Sequence, residues 1–114
     1  MKAGAVTPGQ KDSARLVEMD VPVVSGGQAL IKLLEVGIDG TDMEINTGQY
    51  GQTPPDDDFL VLGHEAIGQI ENPGTTEFDK GDLVVPLVRR PDGCINCRRG
   101  QSDMCIEGNY RECG

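Results

Sequence analysis

The sequence predicts a mainly β fold, a small barrel or sandwich, and three observations carry that expectation. Apolar runs of strand length recur along the first 88 residues, cut apart by turn signals every few residues. The 114 residues include sixteen glycines and seven prolines. Aromatic residues are scarce, with two Phe, two Tyr and no Trp, so the core must be built from Val, Leu and Ile. A chain of this length makes one small domain, and no internal repeat or low-complexity tract divides it.

The elements follow in order. Residues 1–7 read as a short apolar strand ended by Thr7-Pro8-Gly9, and 14–19 as a second, with Asp20-Val21-Pro22 leading away. Ser25-Gly26-Gly27 precedes a strand over 28–36, which alternates around Ile31, Leu33 and Glu35. The loop 37–42 leads to a short helical turn over 43–46, with Thr41 or Asp42 as its cap. Residues 50–58, with Pro54-Pro55 and three successive aspartates, read as an exposed loop. Phe59 to Leu62 runs into Gly63-His64-Glu65, and 66–71 continues as a strand whose side-chain row is broken by Gly68. Asn72-Pro73-Gly74 is a turn, and Lys80-Gly81-Asp82 a tight turn into a buried strand over 83–88.

Charge and composition exclude several function classes. Nineteen acidic against ten basic residues give a formal charge of -9, the wrong sign for gripping a phosphate backbone. No apolar run approaches the roughly 18 residues of a membrane span, and the amino terminus lacks the layout of a secretory signal. The acid excess fits ordinary solubility, with adaptation to high salt as the other reading.

All four cysteines, Cys94, Cys97, Cys105 and Cys113, follow Gly93, in the pattern C-x2-C-x7-C-x7-C. Clustering without a signal peptide points to a local metal lobe in a reducing cytoplasm rather than a disulfide scaffold. Two thiolates two residues apart can face one tetrahedral ion, so structural zinc is the first expectation. Thiols without metal and an iron–sulfur cluster are the others. The one histidine, His64, stands between Gly63 and Glu65. A lone histidine is more often structural than catalytic. Gly63 allows a special torsion beside it, and Glu65 is a second potential ligand. Neighbouring strand residues point to opposite faces, so His64 and Glu65 can share one ion only from a bend or a helix start. Otherwise Glu65 acts from behind the ligands.

These residues carry a resemblance. Gly63-His64-Glu65-Ala66-x-Gly68, followed by Gly81-Asp82-x-Val84, resembles the signature of zinc-dependent medium-chain alcohol dehydrogenases. Residues 36–42 resemble that family's first-ligand loop, and the cysteine segment resembles its structural-zinc lobe. The resemblance spans all 114 residues as the GroES-like amino-terminal catalytic domain, a partly open β-barrel with short helices and a Cys-rich lobe at about 89–114. Within the family, Asp39-Gly40-Thr41-Asp42, residues 85–91 (VPLVRRP) and Glu107-Gly108-x-x-x-Glu112 are most similar to archaeal-type glucose dehydrogenases.

The resemblance implies a catalytic zinc held by Asp39 and His64, with Glu65 as a ligand or close behind one. Most of the family has Cys in the place of Asp39, so a harder donor here should loosen zinc and admit other divalent ions. It implies Thr41 as the hydrogen-bond partner of the reacting hydroxyl and start of a proton relay, and Glu112 as a sugar contact. It implies oxidation of a sugar or alcohol by NAD or NADP, as a homo-oligomer when full length, glucose being the foremost substrate and threonine or simple alcohols the alternatives. A non-catalytic relative of the quinone-reductase kind, or a lone cysteine metal module, would also carry parts of the pattern. The family's structural site is usually C-x2-C-x2-C-x7-C. Cys94, Cys97 and Cys105 match its last three members, while Pro91 takes the first place. Asp92 or Cys113 would complete the site after a loop shift, or it stands empty. No G-x-G-x-x-G nucleotide turn occurs. The chain is therefore expected to be a fragment of a longer enzyme, inactive alone, with an apolar edge that the missing domain would bury.

Overall fold

The computed structural model describes residues 1–54, 57–87, 91 and 93–107. It is mainly β, as expected, with two three-stranded antiparallel sheets. The first has the order β2-β1-β4, from β1 (Lys2–Val6), β2 (Arg15–Glu18) and β4 (Leu60–Val61). The second has the order β3-β5-β6, from β3 (Leu30–Gly37), β5 (Glu65–Asn72) and β6 (Leu83–Val84). Helix α1 (Gly40–Asn46) connects β3 toward β4, and α2 (Ile95–Arg98) with a 3-10 turn (Ser102–Met104) forms the cysteine lobe.

The core is aliphatic. Val6, Ile45 and Leu60 form one buried cluster, with Leu62 packed against it, and so fix α1 on the first sheet. Asn46 ties the far end of α1 to the β1–β2 connection: its backbone carbonyl accepts from the Asp12 amide at 2.8 Å and its Oδ1 from the Ala14 amide at 3.0 Å. In the second sheet Ile70 is 2% exposed.

Register sets the geometry that matters. β3 and β5 pair antiparallel with Gly37 opposite Glu65, so the exit of β3 lies beside the entrance of β5. Gly68 lies buried on β5, where a Cβ would stand 2.3 Å from Ile31 Cγ2 and 3.0 Å from the Lys32 carbonyl. A side chain is thus excluded there by β3 itself. The Asn72-Pro73-Gly74 turn forms as expected, with Asn72 Oδ1 accepting from the Gly74 amide at 3.0 Å.

Two expectations are corrected. The cap of α1 is neither Thr41 nor Asp42 but Asp39, whose Oδ1 accepts from the Thr41 amide at 2.8 Å, so the helix begins earlier, at Gly40. The buried strand expected over 83–88 forms only as Leu83–Val84 among the described residues, with Leu83, Val85 and Leu87 exposed and Val88 lying outside them. β6 lies at the edge of its sheet, and Pro86 has no amide with which to extend the ladder. The loop from Tyr50 is largely exposed, although Pro54 is buried. Among the described residues, no helix is long and apolar enough to cross a membrane.

Candidate metal centre and cavity

The two segments that carry chemistry meet because of the β3–β5 register. Asp39 follows the end of β3, and His64 stands at a bend just before β5. The bend rests on Gly63, whose φ of +97° lies where side-chain-bearing residues are rarely found. This resolves how His64 and Glu65 share one locus: His64 sits outside the strand and Glu65 opens it. Gly37 completes the arrangement, since a Cβ there would lie 3.5 Å from Glu65 Oε2. The Glu65 side chain therefore lies over the backbone of β3, on the side of Asp39.

Ligand atoms of Asp39, His64 and Glu65 all lie within 4.8 Å of one another. His64 Nε2 stands 3.6 Å from Asp39 Oδ2. That separation is too long for a hydrogen bond. It is close to the edge of a zinc coordination tetrahedron with N and O donors, about 3.4 Å for bonds of about 2.1 Å. Because Asp39 Oδ1 is occupied by the helix cap, Oδ2 is the oxygen turned toward the imidazole. The donor set fits a divalent ion and leaves coordination positions for other ligands.

A cavity of about 390 Å³ opens beside this cluster, with Thr41 and His64 in its wall. Tyr50, Gln52, Ser102 and Asp103 add polar groups, and Leu60 and Leu87 apolar surface. The sequence did not single out these four polar residues. Ser102 and Asp103 come from the 3-10 turn of the cysteine lobe, a long-range placement without any local signal.

Among the described residues, the lobe gathers Cys94, Cys97 and Cys105. Cys94 Sγ lies 3.5 Å from Cys97 Sγ and 3.9 Å from Cys105 Sγ. Zn–S bonds of about 2.3 Å give a tetrahedral S···S edge of about 3.8 Å, so the trio fits a zinc ion. Cys94 caps α2, with its sulfur 3.5 Å from the Cys97 amide, and Asn96 Nδ2 donates to the Met104 carbonyl at 2.7 Å, holding the 3-10 turn in place. Pro91 is exposed. The candidate fourth ligands Asp92 and Cys113, the sugar contact Glu112, and Val88, Arg89 and Arg90 of the glucose-dehydrogenase-like stretch lie outside the described residues.

The Cys97 amide, followed by the Ile106 amide, holds the Cys94 thiol below its ordinary pKa, against the opposing effect of burial. A depressed value means that the thiolate's contribution to the lobe is present above the ordinary thiol range and is lost as pH falls through the lowered value. In metal-free protein, ultraviolet thiolate absorbance should therefore rise in an early component that Cys94→Ser removes. A single unshifted transition that is unchanged in that variant would contradict the assignment.

The β domain thus carries two groups of potential metal ligands, a carboxylate–imidazole cluster beside a cavity and a trio of cysteines in the lobe whose 3-10 turn lines that cavity. The chain belongs to the alcohol dehydrogenase GroES-like domain family, which matches residues 25–114. The glucose 1-dehydrogenase of Methanocella arvoryzae is 48% identical over 118 residues, covering 100% of this chain and 33% of that protein. The glucose 1-dehydrogenase of Thermoproteus tenax is 45% identical over 116 residues, covering 100% and 32%. Among solved structures, Haloferax mediterranei glucose dehydrogenase in complex with NADP, Zn and gluconolactone superposes with a TM-score of 0.85 at 44% identity, covering 98% of this chain and 32% of that one. A thermostable alcohol dehydrogenase from Pyrobaculum aerophilum gives 0.74 at 29% identity, covering 92% and 32%. The chain spans about a third of the length of the curated relatives it matches.

Proposed function

We propose that this domain is the metal-binding, substrate-activating part of a zinc-dependent NAD(P) dehydrogenase that oxidises a sugar hydroxyl, with glucose, oxidised at its first carbon, as substrate. The observation that carries the reading is the 3.6 Å approach of Asp39 Oδ2 to His64 Nε2 at the wall of a cavity, in a chain whose relatives are glucose 1-dehydrogenases.

Asp39 and His64 would hold the catalytic zinc, with Glu65 as third ligand or as the group that orients them. Bound zinc supplies Lewis-acid polarisation of the substrate hydroxyl, and the nicotinamide takes the hydride. The residues of this chain do the rest. Thr41, in the cavity wall beside His64, accepts a hydrogen bond from the reacting hydroxyl and passes its proton toward solvent. Tyr50, Gln52 and Asp103 offer polar groups to the remaining hydroxyls, and Glu112 is a further sugar contact, since a carboxylate accepts from two neighbouring hydroxyls. Cys94, Cys97 and Cys105 would hold a structural zinc, with Asp92 or Cys113 as the fourth ligand. Such a thiolate site suits a reducing cytoplasm. We assign the nicotinamide mainly to a separate nucleotide-binding domain, and we place the active form as a homo-oligomer.

The test is an initial-rate assay of a polypeptide joining this domain to its nucleotide-binding partner. It is offered glucose, galactose, threonine and ethanol, each with NAD and with NADP, before and after zinc chelation. Chelator-sensitive oxidation of glucose above the other substrates is the expected result. Preference for threonine or ethanol would overturn the substrate assignment, and no turnover from folded, zinc-loaded protein would overturn the enzymatic reading.

A further inference from the structure

Asp42 is a buried carboxylate that the proposed chemistry leaves without a task. It is 3% exposed. Its Oδ2 accepts from the Asp39 amide at 2.9 Å. Its Oδ1 accepts from the Gly63 amide at 3.1 Å, across 21 residues of chain. We infer that Asp42 is a positioning residue that locks the two segments bearing the metal-ligating side chains to each other through their backbone amides. The inference rests on the reading that Asp39, His64 and Glu65 hold the metal.

Helix capping explains only half of this geometry. The reciprocal box of α1 requires the bonds between Asp39 and Asp42, in which Asp39 Oδ1 accepts from the Thr41 and Asp42 amides and Asp42 Oδ2 accepts from the Asp39 amide. Nothing in it calls for Oδ1 of Asp42 to reach the residue preceding His64. One oxygen fixes where the Asp39 loop begins and the other where the His64 bend begins, so the donors are aligned before any ion arrives. Burying a carboxylate is costly unless it is fully hydrogen-bonded. Here both oxygens take a backbone N–H, and an ionised carboxylate is the short side chain that accepts at both ends. An amide in its place would present its own N–H to one of the two donors and release one segment.

The chain has one histidine, so the ring resonances of His64 report metal at this site without interference from the cysteine lobe. Zinc is titrated into metal-free protein and into the Asp42→Asn variant while those resonances are followed. Amide hydrogen exchange at Asp39 and Gly63 is measured in both metal-free proteins. The zinc dissociation constant at His64 should rise about 10- to 100-fold in the variant, the range found for groups that orient metal ligands, and the two amides should exchange faster. Ile70→Ala, in the second sheet and away from the site, supplies a generic loss of stability. It should lower the melting temperature while leaving zinc affinity at His64 unchanged.

Unchanged zinc affinity and unchanged exchange in Asp42→Asn would overturn the inference, as would an equal loss of affinity in Ile70→Ala. If His64 in the unaltered chain does not respond to zinc, the metal reading fails. The tether is then judged by amide exchange alone, faster exchange in the variant supporting it and unchanged exchange overturning it. Should Asp42→Asn not fold, Asp42→Glu, which keeps the charge and displaces both oxygens, is expected to give the same weakened binding.

Discussion

Under the proposed function, replacing His64 by Ala is expected to lower turnover of a polypeptide joining this domain to a nucleotide-binding partner by about a thousandfold or more. Lewis-acid stabilisation of developing charge is worth several kcal/mol, and each 1.4 kcal/mol is tenfold in rate. The same substitution should leave folding almost untouched. The His64 side chain is 36% exposed, and surface replacements of this kind move stability by about 0.5 kcal/mol. Asp39→Ala is the less clean counterpart, because Asp39 also caps α1 and removing a cap costs about 1 kcal/mol by itself. Asp39→Ser separates the two duties: a serine oxygen can still cap the helix but does not replace the carboxylate donor. Initial rates beside thermal melts check the set. Retained activity in His64→Ala would remove the imidazole from the mechanism.

A large loss of stability is expected from Gly63→Ala. The position holds φ at +97°, and a left-handed torsion costs an ordinary residue about 1–2 kcal/mol. The new Cβ would also stand 2.2 Å from Val36 Cγ1. Overpacking of that kind costs about 1–3 kcal/mol, and the β-branched valine has little freedom to turn away. The sum, about 3 kcal/mol, is a large share of the about 5–15 kcal/mol by which domains are usually stable. In a double-mutant cycle Val36→Ala should remove the clash but not the torsion, restoring about half of the loss. Urea titrations of the four proteins measure this. Wild-type stability in Gly63→Ala, or complete restoration in the double variant, would show that the bend before His64 is not held as described. Since that bend presents the imidazole, Gly63→Ala should also weaken zinc binding at His64.

The parts of this molecule that are local in sequence were legible there. The turn at Asn72-Pro73-Gly74 and the strand before it announce themselves by backbone chemistry, the bend at His64 was one of two geometries the Gly63-His64-Glu65 run left open, and the Asp39-Gly40-Thr41-Asp42 loop was read from a family resemblance. The C-x2-C pair was legible from spacing, since two cysteines two residues apart can face one ion, whereas Cys105 as their companion was read from the family resemblance. Where several residues compete for one local role, the sequence was ambiguous. Asp39, Thr41 and Asp42 are all good caps, and Asp39 is the one whose Oδ1 meets the first free amides, those of Thr41 and Asp42. The D-x-x-D spacing that makes the reciprocal box was a usable signal for Asp42. Its second bond, to Gly63, had none, because that contact depends on the β3–β5 register. The apolar run from Leu83 read as buried for a similar reason: exposure of an edge strand is decided by what lies beside it, not by its own residues.

X-ray absorption at the zinc edge tests the central claim most directly. In the zinc-loaded chain the account predicts a mixed coordination sphere, with nitrogen and oxygen at about 2.0–2.2 Å and sulfur at about 2.3 Å. Replacing Cys94 and Cys97 by Ser should leave one ion with a nitrogen–oxygen shell that shows imidazole scattering from His64. A sulfur-only sphere in the unaltered chain, and no bound zinc once the two cysteines are gone, would contradict it.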